Sequence, residues 1–158
     1  MADLVHRSIP AFLPAFMMRV EAVKTEAYLD GAGVWTIGIG HTAGVHRGMT
    51  ATLDEIRAWL PVDLQDAVRK LYLALTPAAI ARLSDHQWGA LVSFAFNEGV
   101  RTSWGLWEPI NAGRLDEVPG HLEQFDKITD PHTGELVVCE GLVNRRKAEI
   151  ALWNTADS

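Results

Sequence analysis

The chain has 158 residues, 48% hydrophobic and 22% charged, with 14 Lys and Arg against 20 Asp and Glu. That is enough for one domain with a substantial core. A formal charge of −6 with no basic run excludes a nucleic-acid binder that works by gripping phosphates. The single cysteine, Cys139, excludes an internal disulfide and reads as a small, half-buried side chain.

The first apolar stretch, "SIPAFLPAFMMRVE", is too short to span a bilayer and ends in charge. It has neither the basic opening nor the small-residue cleavage site of a signal peptide. The expectation is a chain made in the cytoplasm, without stable membrane insertion. A first helix is predicted from about Pro14 to Glu21, with proline tolerated in the first turn and Phe12, Phe16 and Val20 on one face. Two strands follow, "TEAYL" and "VWTIGIG", joined by the turn "DGAG". His41 and His46 in "HTAGVH" complete no metal-ligand motif, so no metal and no cofactor are expected.

"TLDE" at Thr52 is a capping box opening a long amphipathic helix through Leu75, which Pro61 should kink or split near Trp59. "TPAAIARL" is a short helix capped by Thr76. "SDHQ" opens the clearest helix, with Trp88, Leu91, Val92, Ala95 and Phe96 on one face and Gly99 as its stop. Weaker helices are predicted over Leu106–Ala112 and Asp116–Lys127. "TDPHTGE" is a turn, and Leu142–Trp153 a closing helix. The pattern is α+β and mostly helical.

Three acids, Glu21, Glu26 and Asp30, cluster around the first turn. Glycoside hydrolysis needs two carboxyls, one giving a proton to the leaving oxygen and one activating water or attacking the sugar. Glu21, at a helix C-terminus, faces the negative end of the dipole, which favours a carboxyl that keeps its proton. Asp30, in a polar turn, is expected to stay ionised. The Thr36 hydroxyl could orient a water between strand and turn, and Gly38 and Gly40 would let bare backbone approach a sugar ring. From spacing alone the plainer reading is stronger: the acids simply solvate a surface hairpin.

Read whole, the segment from Glu21 through Asp30 to "TIGIGH" resembles the phage lysozyme family. "LSDHQWGALVSFAFNEG" is similar to that family's central helix, and "GLVNRRKAEIALW" to its closing helix. The resemblance implies a lysozyme-like fold of two lobes in one domain: a small β-hairpin lobe over about 13–51, a connecting helix over 52–75 and a helical lobe over 76–158. It implies a muramidase that cleaves the β-1,4 bond between N-acetylmuramic acid and N-acetylglucosamine in bacterial peptidoglycan, with inversion. Glu21 would be the acid, Asp30 the base and Thr36 the third member. Inversion requires carboxyls about 6.5–9.5 Å apart. Thr42, Phe96 and Asn97 would contact the sugar, with core packing for Phe96 and a local cap for Asn97 equally open.

A structural pair of His41 with Asp63 would tie the lobes. Arg145 would reach back to Glu21, its alternative being a solvent-facing pair with Arg146. Departures from the family are Ala22 in place of its usual glycine, Pro61 within the connecting helix, the acidic balance, and an arm before Leu13 with no counterpart. As an endolysin the protein would wait as a monomer in the host cytoplasm for a separate holin-type pore, then act on the wall in the periplasm. Two other uses of the fold stay open: a non-catalytic peptidoglycan-binding module, and a virion-associated lysozyme.

Overall fold

The computed structural model describes residues 5–158. The chain divides into two compact units, one formed by Ala11–Asp66 and the other by Ala67–Ser158 with the stretch ending at Pro10.

The first unit opens with α1 (Leu13–Val20), whose first turn holds Pro14 and whose Leu13, Phe16 and Met17 are buried. The antiparallel hairpin β1 (Lys24–Leu29) and β2 (Trp35–Gly38) follows, with Tyr28 opposite Thr36 and Leu29 opposite Trp35. The two strands differ in environment. Nearly every β1 side chain is exposed, whereas Thr36, Ile37 and Gly38 of β2 are buried. The other edge of β1 is also occupied: Ala27 N–H donates to Met49 O and Ala51 N–H to Thr25 O, both at 2.9 Å. The predicted capping box holds. Thr52 accepts from Glu55 N–H while Glu55 reaches back to Thr52 N–H, and α2 (Leu53–Asp63) begins there.

Pro61 does not split the helix near Trp59 as expected. α2 runs through it to Asp63 and parts from α3 (Gln65–Ala74) at Leu64, whose N–H still donates to Leu60 O at 2.8 Å. Pro61 and Arg57 are both exposed, so the carbonyl that Pro61 leaves without a donor is on a side where solvent can satisfy it.

In the second unit α4 (Pro77–Arg82) is capped by Thr76 as predicted. α5 (Asp85–Glu98) starts at a second capping box, Ser84 with Gln87, and stops at Gly99, where φ is +77°. The one-sided stripe expected for α5 is not what is found. Every residue from Trp88 to Ala95 is buried, Phe94 is fully enclosed, and Phe96 is only half-buried. A helix surrounded on all sides carries little periodicity to read.

Next come α6 (Trp107–Ala112), a single 3-10 turn at Leu115–Glu117, and α7 (Val118–Leu122). The helix expected to continue to Lys127 is therefore shorter. Its end is taken by β3 (Lys127–Thr129), which pairs antiparallel with β4 (Leu136–Val138) around the "TDPHTGE" turn. α8 (Glu140–Trp153) starts two residues earlier than expected and packs on α5.

The arm before Leu13 finds a role here. The Arg7 guanidinium donates to the carbonyls of Ile80 and Leu83, each at 2.8 Å, and pairs with Asp85, while Ser8 O accepts from the Trp88 indole. At the same helix start the Asp157 carboxylate accepts from Asp85 N–H at 2.8 Å and His86 N–H at 3.1 Å.

Candidate active site

Six of the nine predicted site residues fall in the first unit. Glu21 is the C-cap of α1. Its backbone has turned to the extended conformation, its N–H still donates to Met17 O, and its side chain is half-buried. The helix ends there because the chain must straighten to enter β1.

Asp30 builds the turn that follows. One carboxylate oxygen, Oδ1, accepts the N–H groups of Ala32 and Val34, each at 2.9 Å. Asp30 O accepts from Gly33 N–H and Asp30 N–H donates to Val34 O, which closes a three-residue loop with Gly33 left-handed at φ +78°. Glycine takes that conformation without steric cost. The second oxygen, Oδ2, makes none of these turn bonds.

Thr36, buried at 3% exposure, donates its hydroxyl proton to Val34 O at 2.9 Å. A hydroxyl has one proton. With it committed to the backbone, Thr36 can only accept from a further partner. Val34 is the joint of this arrangement: its N–H holds Asp30 and its carbonyl holds Thr36. A surface hollow of about 470 Å³ runs along β1, lined by Val23, Lys24, Thr25, Glu26, Ala27 and Tyr28. Tyr28 lies directly across the ladder from Thr36.

The expected reason for Gly38 needs correction. Gly38 is buried, not offered to a ligand. Its φ is +68°, and a Cβ built there would meet the Ile56 side chain at 3.0 Å. With Gly40 at φ +69°, it lets the chain bend so that Ile37 and His41 exchange backbone hydrogen bonds of 2.9 and 3.0 Å. The glycines serve a tight bend beneath α2, which brings His41 to it. His41 Nδ1 lies 2.8 Å from Asp63 Oδ2, and its ring stacks on Trp59 with centroids 4.2 Å apart. Both partners belong to the first unit, so the pair ties the loop after β2 to α2 within that unit. Thr42 follows, exposed in the loop.

The remaining three residues are in the second unit. Phe96 is half-buried and Asn97 exposed at the end of α5. Asn97 caps nothing locally; its Oδ1 accepts from Arg146. Arg145 and Arg146 are not a solvent-facing pair. They are 5% and 1% exposed, and both engage the buried Glu149 of the same helix. This network was missed because charged residues at helical spacing usually mark a wet face. Among the described residues no group of His, Cys, Asp and Glu could hold a metal ion, and no helix is long and apolar enough to cross a membrane.

The family model described as phage lysozyme matches residues 18–149, most of the chain, and the protein belongs to that family. It is 36% identical over 137 residues to the SAR-endolysin of Pseudomonas phage phiKMV, covering 86% of this chain and 82% of that one. It is 29% identical over 140 residues to the endolysin of Acyrthosiphon pisum secondary endosymbiont phage 1, covering 87% and 92%. Among solved structures it is similar to the muramidase domain of SpmX from Asticaccaulis excentricus, with a TM-score of 0.82 at 26% identity, covering 96% and 100% of the two chains. The endolysin from Escherichia coli O157:H7 phage FAHEc1 gives a TM-score of 0.78 at 26% identity and 95% coverage of each. The chain is a lysozyme, a glycosidase that cleaves peptidoglycan, with the expected α+β fold.

Proposed function

We propose that the protein is an endolysin that hydrolyses the β-1,4 bond between N-acetylmuramic acid and N-acetylglucosamine with inversion at the anomeric carbon. Glu21 gives its proton to the glycosidic oxygen. Asp30 takes a proton from the water that attacks the opposite face of the sugar. Thr36 orients that water by accepting its other hydrogen.

The observation that carries this reading is the sharing of Val34. Asp30 Oδ1 is held by two backbone N–H groups, and the Thr36 proton is taken by the Val34 carbonyl. What remains is an Asp30 oxygen and a Thr36 lone pair, both acceptors. Two acceptors fixed by one residue, Val34, suit a water that must present both hydrogens to the protein and its own lone pair to carbon. Thr42, Phe96 and Asn97 are the proposed sugar contacts.

The anomeric form of the first product tests the mechanism. An inverted sugar, seen by NMR before mutarotation, supports it, and a retained one would make Asp30 a nucleophile. If the protein binds walls without releasing any reducing sugar, a non-catalytic module replaces the enzyme. Synthesis in the host cytoplasm, release through a separate pore and action as a monomer complete the proposal. Active enzyme outside cells that lack any pore protein would remove the release route, and a dimer in sedimentation would remove the monomer.

A further inference from the structure

The core of the second unit holds a charged group that the mechanism above does not use. Glu149 is fully buried, and its Oε2 accepts from the Ser93 hydroxyl at 2.6 Å and from Arg145 Nε at 3.1 Å. Its Oε1 lies 2.8 Å from Arg146 Nε. Burial pushes the Glu149 carboxyl up and the two guanidiniums pull it back, while burial lowers Arg146. Arg145 and Arg146 precede Glu149 by four and three residues on α8, the spacings at which helical side chains can pair. Separating buried charges of this kind is costly, which keeps the group together.

With Nε on Glu149, the outer nitrogens of Arg146 point at the C-terminal end of α5. Nη1 reaches Glu98 at 3.1 Å and Nη2 reaches the Asn97 carboxamide, while the guanidinium lies over the Phe94 ring. A guanidinium has donors and no acceptor, so the Asn97 atom facing it must be the oxygen. The Asn97 side chain is exposed, and its NH2 group is therefore the part turned outward.

We propose that Glu149 is a positioning residue that, by way of Arg146, fixes the Asn97 carboxamide with its NH2 group outward. The end of α5 then becomes a hydrogen-bond donor for a carbonyl or carboxylate oxygen of the glycan. This rests on the reading of Asn97 as a sugar contact. The acceptor is either the acetamido oxygen that both sugars carry or the lactyl carboxylate of the muramic residue.

Calorimetric titration of Glu21→Gln protein with a hexamer of N-acetylglucosamine, and with peptide-free glycan strands, tests it. Asn97→Asp keeps an oxygen for Arg146 and replaces the donor with a charged oxygen, and Asn97→Ala removes the donor without adding charge. Binding should weaken about tenfold or more in both, the scale of one hydrogen bond. A loss on both glycans assigns the acetamido oxygen. A loss only on the strands, shared by the uncharged Asn97→Ala, assigns the lactyl carboxylate, since Asn97→Asp alone would repel that carboxylate by its charge. Glu149→Gln should weaken binding in the same direction and add little on top of Asn97→Asp. In the enzyme with Glu21 intact, both should raise KM and leave kcat within about twofold.

Equal affinity of Asn97→Asp and its parent for both glycans would overturn the proposal. So would a Glu149→Gln protein that melts earlier yet binds as before. Should Glu149→Gln not fold, Asn97→Asp together with Arg146→Lys decides the matter. A parent protein with no affinity for either glycan sinks the reading of Asn97 as a sugar contact. A parent that binds and cleaves normally, beside an indifferent Asn97→Asp, sinks only the donor.

Discussion

The two hairpins are built with one local device and put to different ends. Asp30 opens the first turn by accepting Ala32 and Val34 N–H, and Asp130 opens the second by accepting His132 N–H at 2.8 Å. Each loop closes through a left-handed glycine, Gly33 or Gly134. Beyond the turn the likeness ends. β2 is buried beside α2, and β1 has a further pairing partner at Met49–Ala51. The β3–β4 ribbon has three residue pairs, all exposed, including Ile128, Leu136, Val137 and Val138. An Asp-capped turn is therefore a structural device first. In the mechanism proposed above it becomes chemistry in the first hairpin, where Val34 serves both Asp30 and the buried Thr36 and a glutamic acid ends the helix before it.

The largest effect that separates the two is on activity. Asp30→Asn keeps an oxygen to cap its turn, so the fold should survive while lysis of outer-membrane-permeabilised Gram-negative cells falls by about 10²-fold or more. Glu21→Gln should do the same, whereas Asp130→Asn should clear cells at the parental rate. Comparable losses from Asp30→Asn and Asp130→Asn in the turbidity assay would mean that the shared turn matters and the carboxylate chemistry does not.

Stability should separate them next. Ile37 is fully buried, so Ile37→Ala should cost about 2–5 kcal/mol in urea unfolding. Val137→Ala on the exposed ribbon should stay within about 0.5 kcal/mol.

A finer contrast uses two left-handed glycines. Gly38→Ala and Gly134→Ala share a left-handed backbone penalty of about 1–2 kcal/mol. Gly38→Ala must also push against Ile56, whereas nothing lies within 4 Å of a Cβ at Gly134. Thermal melts should rank Gly38→Ala as the worse by about 1–3 kcal/mol, the range for overpacking. An equal pair would show that Ile56 yields freely.

The smallest effect concerns a carboxylate that caps a helix instead of a turn. Hydrogen bonds from His86 and the α5 backbone lower the Asp157 pKa. A carboxylate lowered on folding stabilises above its ordinary range, and that contribution fades as pH falls through the folded value. The melting-temperature gap between the parent and Asp157→Asn should be present near about pH 5.5 and shrink by about pH 2.5. A gap that widens on acidification would reverse the sign.

Much of the fold was legible because its signals are local. Thr52 and Ser84 head capping boxes, Thr76 with Pro77 starts a helix, and Asp30 with Gly33 makes a turn, each within a few residues. Even the missed ribbon left a trace, since "TDPHTGELVV" combines turn residues with a β-branched run. The acids Glu21 and Asp30 could be named as candidates from their residue types and from likeness to a family.

Other features depended on residues far apart in the chain. Gly38 looked like a bare approach to ligand until Ile56 was found over it. Arg145 and Arg146 read equally well as a wet face until Ser93, Asn97 and Glu149 enclosed them. Caps and turns are determined by neighbours in sequence, and the sequence alone suffices for them. Whether a charge is dry, or a glycine is covered, depends on what the rest of the chain folds against it, and only the tertiary structure decides that.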